Sequence, residues 1–235
     1  FGLKQVENYS FRLSLGDRSN EKKYYKDDAS WDFAEKTLRK VLKSRKSHFV
    51  EASGEAAFYG PKIDFQMRNV NGKEDTAFTV QYDFVMPKRF ELTYTNEKGV
   101  QEQPVVIHRS SIGCIERVMA FLIEHFAGNF PLWLAPVQVA LLPVSEKHVA
   151  FAKKFSQDFL KHTIRIQIMD ENETLGYKIR GAEKQKIPYI LVLGDKEKKG
   201  GKLMIRQHGV KISKSMTQKQ FIEMLVKKIS KKSLT

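Results

Sequence analysis

Between residues 129 and 136 the hydropathy of this 235-residue chain changes its period, and that change most narrows what it can fold into. Before it, apolar and polar residues alternate, as in half-buried strands. Tyr9 to Leu15 alternate, and Lys62 to Met67 alternate with Lys62, Asp64 and Gln66 on one face. The pair Asn71-Gly72 signals a hairpin whose return strand is expected over roughly Ala77 to Phe84, with Thr79, Gln81 and Asp83 sharing a face. Further strands are expected at 89–95 and 104–108, joined by a turn at 96–99. Ser30 is the expected N-cap of a helix reaching about Ser44, with the stripe Trp31, Leu38, Val41 and Leu42. Antiparallel strands with few helices predict an α+β sheet domain.

After the change the strands are continuous apolar runs and helices separate them. Strands are expected at 137–143, 164–169, 188–194 and 202–207. The intervening helices run from Ser145 to about Lys161 and from Leu175 to Lys184, with a last one from about Thr217 to Ile229. This order predicts a compact α/β domain with a mostly parallel sheet. Two prolines and a tryptophan punctuate the join, giving expected domains of 1–132 and 133–235.

Charge divides the chain in the same place. Residues 133–235 hold 21 Lys/Arg against 9 Asp/Glu, whereas residues 1–132 hold 20 against 18. The second half is therefore the one suited to a polyanion. Cys114 is the single cysteine, which excludes an intrachain disulfide and a cysteine-rich zinc cluster. It fits a reducing, cytoplasmic location. No apolar run approaches the roughly 20 residues of a membrane span. Phe1-Gly2-Leu3 opens in mid-pattern without an initiator methionine.

One run carries chemistry. Val106-Ile107-His108-Arg109 reads as a strand, Ser110 to Gly113 as a turn, and a helix follows whose first exposed arginine is Arg117. Apolar residues at Ile112, Ile115, Met119, Leu122, Ile123 and Phe126 predict the buried stripe of that helix. Arg117 then sits off the stripe beside a strand end, where its planar fork matches phosphate oxygens.

This strand–turn–helix resembles motif 3 of the class II aminoacyl-tRNA synthetases. With Ala127 to Val139 directly after it, the run is similar to the threonyl-tRNA synthetase family. The resemblance implies an architecture: the second half of an α+β antiparallel-sheet catalytic domain, followed by an α/β anticodon-binding domain. It implies ATP-dependent attachment of threonine to tRNA(Thr) through a threonyl-adenylate, with ATP, Mg2+ and zinc as cofactors and a homodimer in the intact enzyme. Arg117 would hold the bent ATP and stabilise charge as pyrophosphate leaves. Of the three zinc ligands of the family, only His108 would lie in this chain. Tyr59 and Lys62, in Phe-Tyr-Gly-Pro-Lys, would flank the threonine pocket, and Gln81 would contact substrate. Cys114 stands where the family often has serine, beside the ATP site, and is expected to pack rather than react. Thr76-Ala77-Phe78 departs from the family's Gln-Cys-Gly.

In the second half, Asp170 to Arg180 resembles the family's anticodon contact region. Asn172 would read a base edge, while Lys178 and Arg180 would reach phosphates. Glu197 matches a base-reading glutamate and Arg206 an arginine near the anticodon. Motifs 1 and 2 are not recognisable, so the chain is expected to be incomplete and inactive alone. The rivals are a prolyl-type synthetase and a non-catalytic RNA-binding module derived from a synthetase. His108 and the Trp-Leu-Ala-Pro-Val-Gln join argue against the first.

Overall fold

A computed structural model describes residues 1–234. Its backbone forms two compact units, Gly2–His125 and the residues from Phe126 onward together with Phe1.

The first unit contains strand β1 (Tyr9–Leu15), helix α1 (Asp28–Ser44), β2 (Phe49–Ser53), β3 (Lys62–Arg68) and β4 (Glu74–Asp83). Short elements follow: helix α2 (Met86–Arg89), β5 (Tyr94–Thr95) and β6 (Gln101–Glu102). The unit ends with β7 (Val106–Arg109) and helix α3 (Ile115–His125). Its main sheet has the order β2-β1-β3-β4-β7. All its pairings are antiparallel except β1 with β2, a strand the alternation had not revealed.

Alternation gives this sheet two unlike faces. Leu13 and Ile63 pack on Leu38 and Leu42 of α1, with Phe11, Leu15, Val80 and Tyr82 around them. The opposite face is polar, and it carries the candidate residues. Helix α1 starts earlier than expected. Its N-cap is Asp27, whose carboxylate accepts from the Ser30 amide at 3.1 Å and from Ser30 Oγ at 2.8 Å. Ser30 is thus a donor to the cap, and Ala34 rather than Val41 completes the buried stripe, Val41 being 45% exposed.

Residue 89 also differs from expectation. Asp83 Oδ1 accepts from the amides of Val85 and Met86 where the chain enters α2 instead of the expected strand, and Pro87 suits that first turn. In α3 the buried residues are Val118, Phe121 and Leu122. Ile115, Met119 and Ile123, expected inside, are at least half exposed. Arg117, Phe121 and Glu124 border one small cavity with Ala77 of β4, so that side of the helix, and not the side of Ile115, Met119 and Ile123, is turned to the sheet.

The second unit comprises β8 (Val139–Pro143), helix α4 (Val149–Lys161), β9 (Ile166–Ile168), helix α5 (Leu175–Lys184) and β10 (Tyr189–Leu193). The four-residue helix α6 (Asp195–Lys198), β11 (Leu203–Gln207), β12 (Lys214–Met216) and helix α7 (Gln218–Ser230) complete it. The sheet order is β12-β11-β10-β8-β9. Strands β9, β8 and β10 are parallel and the β11–β12 hairpin is antiparallel, so the parallel part is three strands of five.

Helices α4 and α7 bury Phe155, Phe159, Phe221 and Leu225 against one face. Helix α5 buries Ala182 against Ala140, Leu142 and Ile190 on the other. Thr217 caps α7, its Oγ1 accepting from the Gln220 amide. Ser145 caps only a 3-10 turn, Glu146–His148, that precedes α4. Among the described residues no helix is long and apolar enough to cross a membrane.

Candidate functional site

The polar face of the first sheet places four side chains in one row across four strands. Ser14 of β1 pairs with Lys62 of β3, Lys62 with Gln81 of β4, and Gln81 with His108 of β7. The next row holds Arg12, Asp64 and Thr79. Hairpin register thus brings Lys62, Gln81 and His108 together from residues 46 positions apart in sequence.

Asp64 lies at the centre of this face and is fully buried. Its carboxylate accepts from Ser14 Oγ at 2.7 Å, Arg12 at 2.9 Å and Lys62 Nζ at 2.6 Å. A buried carboxylate is tolerated because two cations and a hydroxyl replace its water. Lys62 is accordingly the partner of Asp64 here.

Tyr59 donates from its hydroxyl to Gln81 Oε1, and Gln81 Nε2 donates to Thr79 Oγ1 at 2.7 Å. The Tyr59 ring stands 5.5 Å from the His108 ring. Burial and the nearby Asp83 carboxylate raise the Tyr59 hydroxyl pKa above its ordinary value. His108 Nε2 is 2.7 Å from Asp83 Oδ2. A carboxylate only accepts, so Nε2 is the donor, and in the neutral ring Nδ1 is the nitrogen left to accept. No trio of His, Cys, Asp or Glu placed to hold a metal exists among the described residues. His108 therefore supplies a single potential ligand, and these residues by themselves do not make a zinc site.

Arg117 donates to the backbone carbonyl of Thr76. That carbonyl is available because β4 bulges: Phe65 pairs with Phe78 but Gln66 with Thr76, leaving Ala77 over. Gly113 packs on the same bulge with φ of 75°, and a Cβ there would stand 2.1 Å from the Ala77 carbonyl oxygen. The turn before α3 is thus fitted to the segment that departs from the family pattern. Cys114 is exposed, contrary to its expected packing, and donates to Glu116 Oε2 at 3.0 Å, which lowers the Glu116 pKa.

Asp64 and Asp83 are residues of this face beyond those expected from the resemblance. The signal was present: a central strand whose polar members Lys62, Asp64 and Gln66 fall on one face cannot turn that face to an apolar core.

The second unit scatters its candidates more widely. Asn172 and Arg180 are exposed, on the β9–α5 loop and in α5. Lys178, expected to reach phosphates, is instead 4% exposed and donates to the Pro143 carbonyl at 3.3 Å. Its place in α5 turns it toward the end of β8, on the side that packs on the sheet. Glu197 Oε2 accepts from the Gly194 amide at 3.0 Å. Arg206 pairs with Ile190 near the start of β10, whereas Glu197 follows the end of that strand. Arg206 borders an open cleft of about 480 Å³ with Glu183, His208 and Lys211.

Comparison with known proteins accounts for both units. The family model for the tRNA synthetase class II core domain (G, H, P, S and T) matches residues 3–126, and that for an anticodon binding domain matches 138–229. The chain is 46% identical over 227 residues to a threonine–tRNA ligase of Listeria monocytogenes, which is 96% of this chain and 36% of that protein. It is 46% identical over 232 residues to one of Halalkalibacterium halodurans, at 98% and 36% coverage. The chain thus spans about a third of the length of the curated relatives it matches. The RNA binding domain of threonyl-tRNA synthetase from Cryptosporidium parvum is similar in structure, with a TM-score of 0.82 at 30% identity, over 93% of this chain and 55% of that one. A putative threonyl-tRNA synthetase from Aeropyrum pernix gives 0.71 at 27% identity, over 98% and 57%. This chain belongs to the class II aminoacyl-tRNA synthetases, as a core-domain portion followed by an anticodon-binding domain, and its homologues are threonyl-tRNA synthetases.

Proposed function

We propose that this chain supplies the motif 3 part of the adenylate-forming site and the anticodon-reading domain of a cytoplasmic threonine–tRNA ligase. Residues 1–132 would form the second half of the catalytic domain and residues 133–235 the anticodon domain, with the boundary within 129–136. The reaction is ATP-dependent transfer of threonine to tRNA(Thr) through a threonyl-adenylate, by an enzyme that works as a homodimer. The observation that carries the reading is the polar sheet face, where Lys62, Gln81 and His108 share one row, with Arg117 held at Thr76 farther along β4.

Each side chain has a task on that face. Arg117 binds phosphate oxygens of ATP, alongside Mg2+, in exchange for the Thr76 carbonyl it now holds, and stabilises the charge that develops as pyrophosphate leaves. Tyr59 and Gln81, already joined by a hydrogen bond, wall the amino-acid pocket. Lys62, paired with Asp64, sets the pocket's polar edge. Cys114 flanks the nucleotide. His108, oriented by Asp83, offers one nitrogen to a zinc ion, whose chemistry when bound would be to recognise the amino and hydroxyl groups of threonine. One such ligand is too few, so the residues described here are inferred not to form adenylate unaided. In the second unit Asn172 and Glu197 meet base edges, while Arg180 and Arg206 meet the backbone or base planes. Lys178 is left out of that set because its ammonium is buried.

The test is binding of the chain to a threonine tRNA anticodon stem-loop at two salt concentrations, beside loops altered at the second or third anticodon base. A loss of about 1–3 kcal/mol per altered base, nearly independent of salt, supports base reading. Equal binding to all loops with a steep salt slope would favour the second reading, a non-catalytic RNA-binding module, which the excess of cations in residues 133–235 also fits.

A further inference from the structure

Among the described residues, His148 is the one histidine that is almost fully enclosed, at 2% exposure. It lies outside every group of residues used above. A polar ring in such a place costs stability unless both nitrogens are paired, and here both are. Nδ1 is 2.9 Å from Ser145 Oγ, and Nε2 is 3.1 Å from Asp195 Oδ1.

The position of this pair in the fold gives it meaning. From β8 the chain passes through α4 to β9 on one side, and then through α5 to β10 on the other. The carboxyl ends of β8 and β10 therefore lie where the winding reverses, the usual place for a ligand in an open α/β sheet. Ser145 and His148 follow β8; Asp195 follows β10. The histidine joins the segments that leave the two strands.

What it holds is the turn that carries Glu197. Helix α6 has four residues and buries none of them, so apolar packing does not fix it. Three contacts do. Glu197 is tied to the Gly194 amide at 3.0 Å, Lys147 approaches Asp195 at 3.4 Å, and His148 holds Asp195 from within. The lysine is two-thirds exposed and its pair with Asp195 is weak. The histidine is the anchor with a fixed address.

We propose that His148 is a positioning residue for base reading: through Asp195 it sets the orientation of the Gly194–Lys198 turn and hence of the Glu197 carboxylate. This rests on the anticodon reading proposed above. The histidine does not touch the base; it limits the angles at which Glu197 can meet one, and thus acts on discrimination more than on affinity.

The experiment measures, for the full chain, the ratio of dissociation constants for an altered-base and the cognate anticodon stem-loop. Variants are Glu197→Ala, His148→Leu, His148→Gln and Asp195→Ala. Glu197→Ala is expected to lower the ratio about tenfold. His148→Leu and Asp195→Ala should each lose most of the same ratio, and the double variant should lose no more than either alone, because both remove one contact. His148→Gln, whose amide can still donate to Asp195, should restore it. A residue that merely packs would change the unfolding midpoint and leave the ratio alone. Asp195 is largely exposed, so its variant folds and reports even where His148→Leu does not. If Glu197→Ala loses discrimination while Asp195→Ala and His148→Leu keep the wild-type ratio, the positioning role is overturned and the anticodon reading stands. If the wild-type chain does not discriminate at all, the anticodon reading itself fails, and this proposal with it.

Discussion

Substituting alanine for two glycines of the same unit separates backbone strain from packing. Gly72 and Gly113 have nearly equal φ, 78° and 75°. An L-residue held in that region costs about 1–2 kcal/mol, so Gly72→Ala should cost that and no more, because nothing lies within 4 Å of its added Cβ. Gly113→Ala bears the same strain and a collision besides. Its Cβ would stand 2.1 Å from the Ala77 carbonyl oxygen and 3.0 Å from Phe78 Cβ, both parts of the framework rather than the tip of a movable chain. Relieving it requires the helix start or the bulge to shift by about an ångström, an overpacking cost of roughly 1–3 kcal/mol. The total is then about 2–5 kcal/mol for Gly113→Ala. The assay is urea unfolding in a Trp133→Phe background, so that the buried Trp31 alone reports on the first unit. Equal losses for the two variants would refute the close approach of the α3 start to the bulge.

Other outcomes follow from contacts already described. Asp64→Ala strips two cations and a hydroxyl of their shared acceptor; discounted for the partial exposure of Arg12 and Lys62, the expected loss is about 2–4 kcal/mol in the same unfolding assay. The Asp27 cap gives a pH signature. Lys88, first, and then the Ser30 bonds depress the Asp27 pKa against burial, so its stabilisation is present above the unfolded value and vanishes as pH falls through the lower folded one. The gap in unfolding free energy between wild type and Asp27→Ala, about 1 kcal/mol at neutral pH, should therefore close under acid; a gap that persists at pH 2 would count against the cap. In the RNA-binding half, Arg180→Ala should reduce the salt slope of stem-loop binding by about 1, whereas Lys178→Met should leave it unchanged, since that ammonium is already spent on the Pro143 carbonyl. A Lys178→Met slope reduced like that of Arg180→Ala would show the lysine reaching phosphate.

Much of this molecule was legible from residue order. Alternation located β1, β3 and the return strand β4, continuous apolar runs located β8 and β10, and the bounds of α5 matched the pattern. The failures share a cause: they turn on which neighbour a residue meets. Ile115, Met119 and Ile123 have helical spacing and apolar side chains, yet tertiary seating at Ala77 turned the helix onto Val118 and Phe121. Lys178 looks like any surface lysine until the end of β8 is placed over it. Asp83 looks like one more polar member of an alternating strand, but it holds the amides at the entry to α2 and orients His108 at once. The row of Lys62, Gln81 and His108 was visible as three separate segments; only hairpin register makes it one surface.

The bulge at Ala77 separates two properties that a strand ladder normally binds together, length and pairing. Without that residue Phe78 would still oppose Phe65 and Thr76 would still oppose Gln66, so no side chain on either face would change sides. The sheet would simply run straighter. What would vanish is the outward step of backbone on which Gly113 rests and from which the Thr76 carbonyl reaches Arg117. A one-residue deletion could thus leave a chain that folds, presents its polar row intact and is nonetheless mis-seated at the helix bearing its phosphate-binding arginine. The spare residue is redundant to the sheet and indispensable to its neighbour.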